Sequence, residues 1–595
     1  MAEFTVTAPP VSPFDWAAQI DDTAIVITGH IPNAAAKQGL AATAAHLWPD
    51  RRIDDRTVVA DGAAPGFAAA AGIALGDLAA LARGRVSLVD RAFTIEGTAR
   101  TPEAYAAIGR SLAGLPAGYS TSDAKLEPPV ASPYLSAIKV EGGEMTLAGY
   151  MPSEAARAEI LANTGKTFPG RVTDGTTVAA GAPEGFPAAV AWGVGIAGRL
   201  TQAEISLRDA AISVTGKVKA LDDIPALRGL AAAPPAGFTI ASTAIGGRTD
   251  VAATDCDRLA LPPSHPDRPQ GVAGVALDAI DVAAALPACE AALAAAPDVR
   301  RFATALATVK LKQGDAKAAA TLLASASAAD DPTATARLAA LKRDGLDGPA
   351  DPKAAAMLAA RAADAGDPLG MTVLAGLVEQ GLGVPVDRAR AADLYGRAAA
   401  RGDLDALTAL ARLTEIGAAG PADPAKARDL YARAARGGSP FAMHALGRML
   451  DKGLGGSADA TEALDWYRRA ADTGRPESMV AAGLMLAEGR GRPADAHAAG
   501  ALFEKAAALG EPAAMYELGL QALDGRGRPK SEAIAVQWFE RAAALGLPEA
   551  MGRLGFVALA GIGPGTGASP DFARARLWFV AGTKAGTPCR TTGWA

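Results

Sequence analysis

Five histidines, three cysteines and a recurring set of arginines are the residues of this 595-residue chain best suited to chemistry. The histidines are His30, His46, His265, His444 and His497; no two stand at HxH or HxxxH spacing, so they outline no metal site. His265 lies in a stretch rich in Pro, Gly and Asp and is expected to be solvated, whereas His444 and His497 fall at recurring helical positions and are expected to pack or face water. Cys256, Cys289 and Cys589 show no CxxC spacing, which argues against zinc. Cys256 and Cys289 flank one short stretch and could form a disulfide in an oxidising compartment; the alternative is two unrelated buried thiols. No GxSxG, GxxxxGK(S/T) or strand-led GxGxxG pattern is present, and the GRGRP stretches at 489–493 and 525–529 follow a helix where a phosphate loop needs a strand. No catalytic, cofactor-binding or metal-binding residue is therefore expected. Arg397, Arg433, Arg468, Arg469 and Arg541 recur near helix ends. They are either solvated helix faces or, if they converge on one concave side, a groove for an acidic peptide.

The arginines belong to a larger rhythm. Gly366, Gly402, Gly438, Gly474, Gly510 and Gly546 follow one another at intervals of 36 residues, and Gly586 comes 40 later, after the insertion-like GIGPGTGASP. A glycine just past a helix can take the left-handed conformation that closes it. Seven residues before these glycines, from Gly402 on, stand Tyr395, Tyr431, Tyr467, Phe503, Phe539 and Phe579. Fifteen residues before them stand Asp351, Asp387, Asp423, Asp459, Asp495, Ser531 and Asp571, types that accept hydrogen bonds from the free amides of a helix start. Four residues after each cap is an alanine, from Ala355 to Ala575, small enough to admit a close neighbour. An earlier helix in each unit carries Met371, Leu407, Met443, Met479, Met515 and Met551 and closes at Gly381, Gly417, Gly453, Gly489, Gly525 and Gly561. Each unit is thus a helix–loop–helix pair that cannot bury its own apolar face and must stack on the next, with its methionines and aromatics in the core.

GLGVPVDRARAADLYGRAAARG (381–402) and GRGRPKSEAIAVQWFERAAALG (525–546) resemble the Sel1-like repeat, a relative of the tetratricopeptide repeat. The resemblance covers about 331–586, some seven units with the first degenerate, inside an all-α solenoid expected over 331–590. It implies a right-handed superhelix that acts as an adaptor, with a protein or peptide partner on its concave face, and no chemistry. Upstream, residues 288–327 look like a tetratricopeptide unit turning at Gly314-Asp315, and 276–330 is expected to cap the solenoid.

Before about residue 245 the periodicity turns from helical to alternating, which predicts strands. Four share one form: IVITG (25–29), FTIEG (93–97), MTLAG (145–149) and ISVTG (212–216). The segments 12–32 and 48–67 match 132–152 and 168–186, so two long units, 13–120 and 130–245, each hold two strand–strand–helix–strand-like subdomains. This pattern resembles the BON family, small α/β modules of bacterial envelope proteins, and the resemblance implies an α+β tandem contacting envelope components or a membrane surface. Similar tandems occur in OmpA-like proteins, but the OmpA module is missing here, which puts cell-wall binding in doubt. TAPPVSPFDW corresponds to the LEPPVASPYL between the units, so 1–12 reads as a linker and an upstream leader is an expectation; a cytoplasmic start is the alternative. Residues 246–275, rich in Pro, Gly and Asp, read as a second linker.

Bulk properties narrow the partners. The formal charge of −6 is slight for this length and shows none of the basic stripe of a nucleic-acid binder, so no nucleic acid is expected as a partner. No apolar run approaches the roughly 20 residues a membrane-spanning helix needs. The expected function is a non-enzymatic interaction scaffold, of the periplasm or cell envelope if a leader precedes Met1 and of the cytoplasm otherwise. An enzyme with a site between the halves is the remote alternative.

Overall fold

The computed structural model describes residues 8–562 and 569–585. The first part of the 1–12 linker, most of the GIGPGTGASP insertion, Gly586 and Cys589 lie outside the described residues.

The first α/β unit runs β1 (Asp15–Ile20), β2 (Ala24–Ile31), α1 (Ala34–Leu47), β3 (Arg52–Asp55), β4 (Val58–Val59), α2 (Phe67–Ala79), β5 (Leu81–Val89), β6 (Ala92–Ala99), α3 (Pro102–Ala113) and β7 (Ser120–Glu127). Its strands order as β3-β2-β1-β5-β6-β7, with β4 also on β2. The two strand–strand–helix–strand halves are not separate bodies. Antiparallel pairing of β1 with β5 joins them into one sheet, and each half adds its last strand in parallel after a helical crossover.

The second unit repeats the plan: β8 (Leu135–Glu141), β9 (Glu144–Met151), α4 (Glu154–Thr167), β10 (Val172–Val178), α5 (Phe186–Ala197), β11 (Gln202–Arg208), β12 (Ala211–Lys217), α6 (Ile224–Ala231) and β13 (Thr239–Gly246), ordered β10-β9-β8-β11-β12-β13. The repetition reaches single hydrogen bonds. Asp90 and Asp209, both at left-handed φ, accept from the backbone amides of Phe14 (2.9 Å) and Tyr134 (2.8 Å). Strand glycines Gly29 and Gly149 have φ of +96° and +91°, and a side chain on either would run into the backbone of the paired strand.

Beyond the sheets come α7 (Asp255–Ala260), α8 (Val282–Ala295), α9 (Arg300–Lys312) and α10 (Ala316–Ala328), the last two joined through Gly314 and Asp315. The repeats follow as helix pairs: α11 (Pro332–Asp344) with α12 (Pro352–Asp364), α13 (Pro368–Gln380) with α14 (Arg388–Ala399), α15 (Leu404–Ile416) with α16 (Pro424–Arg436), and α17 (Pro440–Lys452) with α18 (Ala460–Asp472). Then stand α19 (Pro476–Glu488) with α20 (Ala496–Ala508), α21 (Pro512–Asp524) with α22 (Glu532–Ala544), and α23 (Pro548–Leu559) with α24 (Phe572–Lys584). Their columns act as the spacing requires. Asp351, Asp387, Asp423, Asp459, Asp495, Ser531 and Asp571 each accept a hydrogen bond from the amide three residues on. The cap-following alanines are all buried, and Gly366 through Gly546 take positive φ.

The second unit and the helices share one core. Leu221, Ile224 and Leu227 pack in a single apolar cluster with Ala303, Leu323, Ala326 and Leu338. Arg228 of α6 bonds the carbonyls of Ile245 (2.7 Å) and Ala328 (3.0 Å) and pairs with Asp330, while Arg248 grips Asp298 at 2.6 and 2.8 Å. The first unit keeps its own core around Trp16, Phe67 and Phe93 and meets the second through α3 and β10.

The stretch 246–275 connects the halves as a packed element. His265, expected to be solvated, is instead buried: its Nε2 lies 2.8 Å from Asp331 Oδ2, and its Nδ1 accepts the Asp267 amide at 3.1 Å. Since Nδ1 accepts, Nε2 donates. Asp257 pairs with Arg301 at 2.9 Å, both fully enclosed, and Asp267 pairs with Arg300. Composition signals the turns of this segment; its polar partners lie in the helices beyond and leave no local trace.

Candidate interaction surface

The first helix of each pair presents residues four and seven apart along one face, and these form columns 36 residues apart through the array. In the earlier pairs the columns are charged and closed upon themselves. Glu379 of α13 accepts from the Tyr395 hydroxyl of α14 at 3.2 Å and pairs with Arg412 of α15. One repeat on, Glu415 accepts from Tyr431 at 3.2 Å and pairs with Arg448 of α17 at 2.5 Å. Asp451 then pairs with Arg490. Burial, with Glu415 beside it, holds the Tyr431 hydroxyl above its ordinary range; Tyr467, buried and facing Asp451, is pushed up to about 12. Neighbouring first helices also touch through Thr372 and Asp403 (2.9 Å), Thr408 and Ser439 (3.1 Å), and His444 and Ser478 (2.9 Å). His444 is packed against Tyr467 and lowered to about 4 by burial, with Arg475 adding to the effect.

In the last three pairs the same columns turn apolar. The Arg412 and Arg448 column continues as Leu484, Leu520 and Phe556, and the acid column as Ala487, Leu523 and Leu559. The Thr–His column continues as Val480 and Tyr516. The second-helix aromatic changes with them: tyrosine opposite each acid, then Phe503, Phe539 and Phe579 where no acid asks for a hydroxyl. Leu484, Tyr516 and Leu520 are half-buried and Phe556 is 47% exposed. These residues escape a sequence reading that follows caps and closing glycines; the signal was the same 36-residue interval.

The recurring arginines sit elsewhere, on the second helices, with Arg468 exposed beside Arg469. Arg397, Arg433, Arg469 and Arg541 are all exposed, in a column that also takes in Arg361 and Lys505. Arg397 stands 3.8 Å from its own helix's Asp393, while Arg469 and Arg541 stack on Trp466 (4.7 Å) and Trp538 (4.9 Å). Cys256 and Cys289, both fully buried, are joined by a disulfide that ties α7 to α8.

A cleft of about 980 Å³ opens between the uncovered face of the second sheet and the helices. Most of its charged groups are already engaged: Lys139 with Glu141, Arg228 with Asp330, Arg300 with Asp267 beside the cleft, and Lys217 with the Gly247 carbonyl. One carboxyl, Asp77, is pushed up to about 6 by burial; it lies inside the first unit, in the place Ile196 takes in the second, and away from this cleft. Among the described residues no group of His, Cys, Asp and Glu could hold a metal ion.

A family model described as the Sel1 repeat matches seven consecutive stretches, 332–367, 368–403, 404–439, 440–474, 476–511, 512–547 and 548–586. Among solved structures, the chain is similar to a protective antigen present in uropathogenic Escherichia coli strains displaying an SLR fold, at 25% identity over 52% of this chain and 67% of that one, with a TM-score of 0.41. It is also similar to a Sel1 repeat protein from Oxalobacter formigenes, at 28% identity over 47% of this chain and 86% of that one, with a TM-score of 0.37. No curated protein matches the chain. Sel1 arrays are in general protein-interaction scaffolds. Residues 332–586 of this chain are an array of seven Sel1 repeats.

Proposed function

We propose that this chain is a non-enzymatic scaffold of the bacterial cell envelope, in which the repeat array holds a protein partner and the two α/β units, read as BON-like, meet envelope components. The observation that carries the scaffold reading is the array itself: seven stacked helix pairs offer a long face of side chains, the way repeat proteins build binding surfaces. The shared core with the second sheet unit fixes that face relative to the sheets, as a scaffold requires. The bonded Cys256 and Cys289 favour an oxidising compartment.

Two measurements test this. Cross-linking in cells followed by capture of the full chain should recover partners that are lost when 332–586 is deleted; unchanged recovery would overturn the scaffold reading. Fractionation with thiol trapping should find the chain in the envelope with Cys256 and Cys289 blocked. A cytoplasmic chain with both thiols free would overturn the envelope assignment while leaving the scaffold intact.

A further inference from the structure

The array is not chemically uniform, and its unevenness says where a partner is held. In the earlier repeats any incoming side chain must displace an existing pair, such as Glu379 with Arg412 or Glu415 with Arg448, before it gains a contact. Displacing formed hydrogen bonds returns little net free energy. In the last three repeats these same columns hold no such pair, since leucine, alanine and phenylalanine occupy them. Leu484, Tyr516, Leu520 and Phe556 follow one another across α19, α21 and α23, partly exposed, backed by a core that includes Phe503 and Phe539. Apolar surface left exposed over a packed core gains free energy in proportion to the area a partner covers, with no pair to break first.

A half-buried charge borders this apolar face, in the column that Arg553 continues on α23. Glu517, beside Tyr516 on α21, is half-buried and has no hydrogen-bond or ion-pair partner among the described residues. Burial pushes its carboxyl above the ordinary range, and Glu488 on α19 adds to the effect; Arg526 and Arg553 oppose it. Glu488 is itself paired with Arg490, and Arg526 with Asp524, while Arg553 is exposed and solvated. The half-buried, unpaired acid is therefore the group whose environment improves most when an opposite charge arrives.

We propose that the face built by α19, α21 and α23 docks a protein segment that presents apolar side chains around a lysine or arginine, with the basic group seated on Glu517. This rests on the reading of the array as a partner-holding scaffold and names the part of it that holds.

The test is fluorescence anisotropy on the full chain with two labelled peptides, Gly-Leu-Leu-Lys-Leu-Leu-Gly and its counterpart with Glu for Lys. The lysine peptide should bind about tenfold more tightly. Glu517→Gln, a change of charge with little change of shape, should abolish the preference, and Phe556→Ser should weaken both peptides. Arg412→Ser, in the paired half, should alter neither. Equal affinities, a preference that survives Glu517→Gln, or no saturable binding of the lysine peptide would overturn the proposal. Capture from cells separates its failure from that of the broader reading. A partner lost on deleting 332–586 but kept by the Glu517→Gln, Phe556→Ser chain is held elsewhere on the array. A partner kept by the deletion was never held by the array.

Discussion

Replacing His265 by alanine tests whether 246–275 is a structural element or a tether. Asp331, the cap of α11, is fully enclosed and makes four hydrogen bonds. It accepts from His265 Nε2 at 2.8 Å, Thr304 Oγ1 at 2.6 Å, and the amides of Thr333 at 2.9 Å and Ala334 at 3.1 Å. Burial alone would raise this carboxyl; the donors, His265 foremost, reverse that and hold it below its ordinary range. His265→Ala removes one donor from a carboxylate that water cannot reach. A hydrogen bond to a charged group contributes about 1.5–3 kcal/mol, and the vacated ring volume adds about 1 kcal/mol. The expected cost is about 3 kcal/mol, against less than about 0.5 kcal/mol for a change in a solvated tether. Native-state hydrogen exchange at the first-turn amides of α11 reads this directly, as exchange faster by on the order of a hundredfold. His265→Gln, whose side-chain amide can still donate, should lose less. If His265→Ala speeds exchange by less than about threefold, the buried network contributes nothing and the segment is a tether after all.

Three further outcomes follow from named contacts. The Cys256–Cys289 bond closes a separation of 33 residues, so Cys256→Ser with Cys289→Ser should lower the stability of the α7–α9 region by about 4 kcal/mol in urea denaturation; a loss under about 1 kcal/mol would count against its structural role. Asp77, displaced from 3.8 to about 6 by burial, contributes stability that is complete below pH ~4 and lost as pH rises through about 6, a swing of about 3 kcal/mol. Asp77→Asn should flatten that profile, leaving the first unit the more stable at pH about 8 by hydrogen exchange; parallel profiles would refute the burial argument. Glu415→Leu leaves the Tyr431 hydroxyl and Arg448 without their acceptor, so adding Tyr431→Phe should recover part of the loss, a coupling of about 1 kcal/mol in a double-mutant cycle. Strict additivity would mean that this rung is not a unit.

The array is legible in the sequence because its devices are local. Asp423 caps α16 through an amide three residues away, and Gly438 closes the turn after it by its own φ of +105°. Each needs only near neighbours, and 36-residue repetition averages out accidents. The strands show through alternation, but the pairing of β1 with β5 does not. Trp16 meets Leu88 across that seam, and nothing near either residue announces the other. The same distance hides the packing of 246–275: His265 finds Asp331 66 positions away, and Asp257 finds Arg301 44 away. The Pro, Gly and Asp that suggest a linker are equally the residues of a segment making several tight turns over a packed surface. On the candidate surface, the arginines chosen for their recurrence are on the second helices, each solvated, stacked or paired within its own helix. The first-helix acids repeat just as regularly, but their role depends on which faces meet, which stacking decides.

Tyrosine and phenylalanine share one column for a reason that bears on function. Tyr395 and Tyr431 bury a hydroxyl, which is costly without an acceptor in reach, and Glu379 and Glu415 supply it. Those acids would in turn be stranded at the array face without Arg412 and Arg448. Ring, acid and base give way together in the last repeats, to Phe539, Leu523 and Phe556; at the junction Tyr467 and Asp451 remain although Leu484 takes the base column, and there Arg490 pairs with the acid instead. Losing the base alone would strand a carboxylate, and losing the acid alone would strand a hydroxyl, so intermediate mixtures cost more than either pure form. The array consequently has two stable chemistries and places them in order. The self-satisfied repeats come first, next in the chain to α9 and α10, and the repeats that leave Leu520 and Phe556 partly uncovered come last.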